Sequence, residues 1–145
     1  MKPEDLPTTW AQAHDLVREM FGIGTYDEIA RPEPPFHRAR MNEIARLKAL
    51  GRQRRATPQQ VGIAAWFAHR TGVHVRQSVR LFPLIPAAQV AWNRALAEER
   101  ARVAQEALGD LIEEALAAGE GEWAERFIRA SAAEVPSLIE KWRNR

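Results

Sequence analysis

Between Phe36 and Arg80 the chain carries ten cationic side chains: Arg38, Arg40, Arg46, Lys48, Arg52, Arg54, Arg55, Arg70, Arg76 and Arg80. One acid, Glu43, stands against them. Nine of the ten are arginines, whose planar guanidinium forks pair two at a time with phosphate or carboxylate oxygens. Their spacing argues for a single patch. Arg76 and Arg80 stand at i and i+4, while Arg52, Arg54 and Arg55 share one connection. With histidine neutral, residues 36–80 sum to +9, residues 1–35 to −4 and residues 81–145 to −3, so the net charge of +2 hides a basic middle. A coding bias toward arginine would scatter these residues evenly. Their clustering points to a polyanion as partner.

Other chemistries find little support. His69 and His74 are five apart across a glycine turn, which is not the i, i+4 pairing of two metal ligands on one helix face, and no cysteine or third ligand stands nearby. The acid pairs Glu98-Glu99 and Glu113-Glu114 read as solvated helix faces, with Glu98 able to pair with Arg102. There is no glycine-rich phosphate loop and no nucleophile with a recognisable base. The expectation is a non-enzymatic protein with no catalytic residues, metal, cofactor or small-molecule substrate.

The elements that carry these residues read as helices throughout. Thr9 to Gln12 opens a first helix over 10–21, stopped by Gly22. Thr25 to Glu28 predicts one short helical turn, cut off by Pro32, Pro34 and Pro35. Met41, Ile44 and Leu47 make an apolar stripe from Phe36 to Leu50, with Gly51 as its end. Thr57-Pro58-Gln59-Gln60 is the strongest start signal in the chain. It opens a helix over 58–70 that is apolar nearly all round, hence central and buried. Residues 73–82 fit either a helix or an alternating strand; helix is favoured because no second strand candidate exists to pair with it.

Pro83 and Pro86 bracket a turn, and a long helix of about 50 Å follows near 87–118, with Val90, Ala97, Ala104, Leu108, Leu111 and Ala115 as its apolar stripe and Gly109 as a candidate bend. Further helices follow over 122–131 and from Pro136. The tryptophans and Phe127 are assigned to core. With 145 residues and 46% hydrophobic composition, the expectation is one compact all-α domain over 1–145 with six or seven helices. Its nucleic-acid-facing part is 36–80, and its long and C-terminal helices cover 86–145. The absence of cysteine, of a secretory pattern and of a bilayer-length apolar run makes the expected setting cytoplasmic, away from membranes.

Two resemblances bear on the partner. Ala68-His69-Arg70-Thr71-Gly72-Val73 resembles the turn of a helix-turn-helix, a likeness that covers residues 58–82. The apolar residue that family has ten places after the small one is Ser78 here, with Val79 one place later. That resemblance implies that His74, Arg76, Gln77 and Arg80 face base edges or phosphates. In size, helicity, basic patch and lack of catalytic groups the chain is similar to the small helical subunits of CRISPR effector ribonucleoproteins. This likeness implies a subunit that holds a nucleic-acid backbone among protein partners without reading sequence. The expected function is therefore backbone binding through Arg38, Arg40, Arg46, Lys48, Arg52, Arg54, Arg55, Arg70, Arg76, Gln77 and Arg80. The alternatives are a helix-turn-helix regulator or phage or plasmid packaging protein, and a protein-directed adaptor or inhibitor.

Overall fold

A computed structural model describes residues 1–22 and 35–145, and the short turn expected at Thr25 to Glu28 lies outside them. The described residues are all-α, with no strand among them. Their contacts gather into two compact units, Met1–Asn93 and Arg94–Arg145.

The first unit is built around α3 (Pro58–Thr71). Its start is the reciprocal capping box that the sequence predicts: the Gln60 amide donates to Thr57 Oγ1 at 3.2 Å, and the Thr57 amide donates to Gln60 Oε1 at 2.9 Å. Val61, Ile63, Ala64, Ala65 and Ala68 are buried on several sides, as a central helix requires. Trp66 is only half-buried; it sits at the rim of this core and meets Trp92 edge-to-face at 5.0 Å. α1 (Trp10–Phe21) and a 3-10 helix (Ser78–Leu84) pack on α3, and α2 (Pro35–Gln53) packs on α1. At the start of α1 the Gln12 amide donates to Thr9 Oγ1, but the Gln12 side chain reaches past Thr9 to accept from Thr8, so only half of a box is formed.

Two boundaries differ from expectation. α2 does not end at Gly51 but runs through it to Gln53. This glycine is there for close approach: a Cβ on it would run into the Trp10 ring, so its bare backbone is what lets Trp10 lie across α2. The helix favoured over 73–82 is not an α-helix. Val73 to Gln77 are non-helical, Val75 drops into the core, and a 3-10 helix begins only at Ser78. Pro83 lies inside this winding, and its missing N–H leaves a carbonyl of the preceding turn without a helical donor.

That 3-10 helix leads directly into α4 (Ile85–Ala117), so the turn expected between Pro83 and Pro86 is not formed. Pro86 stands in the first turn of α4, where a missing N–H has no partner to lose. In the first unit α4 buries Ala88 and Trp92, four residues apart, while Val90 is 61% exposed. The expected stripe counted Val90, Ala97 and Ala104 at sevens, but Val90 stands two residues, about 200° of helix, from both Ala88 and Trp92 and so faces away from the Trp66–Trp92 contact. Residues 97–103 are exposed on every side. There Arg102 pairs with Glu99 and Glu106 rather than with Glu98.

In the second unit the last turns of α4 pack with α5 (Gly121–Arg129) and α6 (Val135–Arg143). The core is Leu108, Ala115, Ala124, Phe127, Val135 and Trp142, flanked by Leu111 and Trp123. The three rings form one cluster, with Trp123 and Phe127 each edge-on to Trp142 at 5.5 and 5.9 Å. Trp142 Nε1 finds its acceptor in Glu114 at 3.3 Å. Among the described residues no helix is long and apolar enough to cross a membrane.

Candidate nucleic-acid interface

Arg46 and Leu50 stand one helical turn apart near the end of α2, and Arg54, just past it with its amide bonded to Leu50 O at 2.9 Å, continues the row. Opposite them the 3-10 helix contributes Val79, Arg80 and Pro83, and the two walls enclose an open cleft of about 470 Å³. Leu50 and Val79 are half-buried and form an apolar floor; the three arginines are exposed at its rim. Phe82 lies beneath, buried against Trp10 at a ring separation of 6.4 Å, and the Arg54 guanidinium carbon stands 5.8 Å from its centroid. That contact holds the planar head of Arg54 over an aromatic face. The packing of Trp10 on Gly51 therefore positions the cleft, since it seats Phe82 from below.

The electrostatics are one-sided. Among the described residues neither Arg54 nor Arg80 has a carboxylate within ion-pair distance, and Arg46 has only Glu43, at 3.9 Å. Arg40 is differently placed. Its Nε and Nη2 donate to the two carboxylate oxygens of Asp15 at 3.2 and 2.7 Å, tying α2 to α1. Partial burial would raise the Asp15 carboxyl, but the hydrogen bonds from Arg40 and then His14, with the Arg40 charge, outweigh it and hold the group below its usual 3.8.

Of the other expected site residues, Arg70 lies over Trp66, its guanidinium carbon 5.3 Å from the ring centroid. Arg38, Lys48, Arg52, Arg55, Arg76 and Gln77 are exposed, outside the cleft. Gln77 does not sit on a recognition helix: it stands at the start of the 3-10 helix, where its backbone carbonyl accepts from the Arg80 amide at 3.0 Å. The second helix that the helix-turn-helix likeness requires after Gly72 is absent. His69 meets the Phe21 ring edge-on, and no group of three metal-ligating side chains occurs among the described residues.

Arg55 carries a signal that sequence could not show. α2 ends with the Ala56 amide bonded to Gly51 O and the Arg55 amide to Arg52 O, the paired bonds of a Schellman motif. The same pairing closes α3 at Gly72 and α4 at Gly119. Those two sites hold glycine at φ 75° and 73°; here arginine takes the left-handed conformation at φ 54°. A side chain at such a site costs about 1–2 kcal/mol relative to glycine.

Sequence reasoning missed the apolar floor of Leu50 and Val79, because it counted only charges. It also missed a second basic groove of about 400 Å³, between α5 and α6, where Arg126, Arg129 and Lys141 gather beside Glu134. Arg126 and Arg129 at i and i+3 were a legible signal, masked by the −3 sum of residues 81–145. No protein-family model, no curated protein and no solved structure matches the chain.

Proposed function

We propose that this protein is a non-catalytic nucleic-acid-binding subunit that grips a phosphate backbone through arginines at the α2 and 3-10 helix walls. One observation carries the reading: Arg46, Arg54 and Arg80, up to 34 positions apart in the chain, converge on one cleft with almost no acid to neutralise them. Guanidiniums held together without carboxylates repel one another, and an oxyanion partner relieves that repulsion. The exposed Arg38, Lys48, Arg52, Arg55 and Arg76 extend the same field. A cytoplasmic ribonucleoprotein resembling a CRISPR effector is the setting that fits this chemistry, with further protein subunits as partners.

The test is binding of a fluorescent oligonucleotide across a salt series. Affinity is expected to fall by about 0.7–0.9 log units per log unit of salt for each phosphate contact. The triple variant Arg46→Ala, Arg54→Ala, Arg80→Ala should lower that slope by about two to three units. Binding that ignores salt, or no binding at low salt, would refute the reading.

A further inference from the structure

Resting on that reading, we infer that the cleft between α2 and the 3-10 helix takes a single unpaired nucleobase, so that the preferred ligand is single-stranded nucleic acid and not a duplex. A site for phosphates alone needs only charge, whereas this one has a half-buried apolar floor, Leu50 and Val79, between its arginines. Its volume, about 470 Å³, lies in the range of about 300–1,000 Å³ typical of small-molecule sites. Arg54 adds a planar group, its guanidinium carbon 5.8 Å from the Phe82 ring centroid, on which a base can stack by π and cation–π contact. Arg46 on α2 and Arg80 on the 3-10 helix line the same cleft and supply cations for the phosphates that accompany a base.

A duplex presents phosphates outward with its bases stacked inside, and it could engage the rim while leaving the floor empty. An acidic peptide without aromatic side chains would satisfy the charges too, but it brings no flat face to stack on the Arg54 guanidinium. The floor and the platform together are what favour an exposed base.

The experiment uses the full chain and four probes of equal length and label: an oligothymidylate, the same backbone with all bases removed, a duplex and a polyglutamate peptide. The expected result is tightest binding of the oligothymidylate, with the base-free strand and the duplex each weaker by at least about fivefold at the same salt. Arg54→Lys keeps the charge but removes the plane. It should close most of the gap between the two single strands while leaving the salt slope unchanged. Val79→Ser, which roughens the floor without touching the arginines, should narrow the same gap, and its melting temperature reports whether the fold is intact. Equal binding of the strands with and without bases would overturn the base site while leaving phosphate binding in place. Polyglutamate bound as tightly as the oligothymidylate would assign the cleft to an acidic protein instead. Failure of every nucleic-acid probe to bind would remove both this inference and the function on which it rests.

Discussion

Three helices end in the same backbone motif, and Arg55 is where the chain departs from the residue that motif prefers. Replacing a left-handed arginine by glycine removes steric strain, so Arg55→Gly is expected to stabilise the fold by about 1 kcal/mol. If the side chain serves binding, the same variant should lower the salt dependence of nucleic-acid affinity by about one contact. Melting curves and a salt titration on one preparation check both halves. Asp15 tests the other kind of arginine. Its carboxyl lies below its usual value, so the Arg40 contact contributes stability above about pH 4 and loses it as the carboxylate protonates on acidification. Asp15→Asn should cost no more than about 1 kcal/mol at pH 7, because both partners are partly solvated, and the difference from the parent should fade as the pH falls through the lowered pKa of Asp15. An undiminished difference below that pKa would assign the effect to packing.

At the scale of elements, the contact between α1 and α2 at Gly51 is the joint on which the cleft depends. Gly51→Ala would drive a methyl group into the Trp10 ring, and it is expected to destabilise the fold by about 1–3 kcal/mol. Because Trp10 also seats Phe82, the variant should weaken binding more than an exposed arginine change does. Urea unfolding gives the first quantity and oligonucleotide binding the second. The 3-10 helix is the other wall, and Pro83 lies inside it. Over 73–82 a helical pattern misleads: Val75 and Phe82 are buried as it expects, but Val73 to Gln77 form no helix and the chain winds only from Ser78.

At the scale of the whole molecule, the arginines lie on several elements, and residues 73–84, where a recognition helix would stand, hold no α-helix. Backbone contacts position a protein without distinguishing sequence, so selection from a random duplex library is expected to yield no consensus site. A clear palindromic consensus would overturn this and restore a sequence reader. Substitution of Arg76 or Gln77 by alanine should accordingly weaken all sequences alike, or not at all.

Much of this protein was legible from residue order, and the reasons are local. The capping residues Thr9 and Thr57, the left-handed stops at Gly22 and Gly72 and the apolar run of residues 61–68 each act within a few positions, so the helices they bound appear where the pattern predicts. The basic middle was legible for the same reason, since charge is a property of composition. What required tertiary structure was every question of which distant residue lies opposite which. Gly51 reads as a helix stop until Trp10 is seen to cover it, and Arg40 counts as a free cation until Asp15 closes on it. The division of the apolar residues into two cores and the meeting of Arg46 and Arg54 with Arg80 across an apolar floor were decided the same way. Spacing along one helix specifies a face, but only packing between helices decides what that face meets.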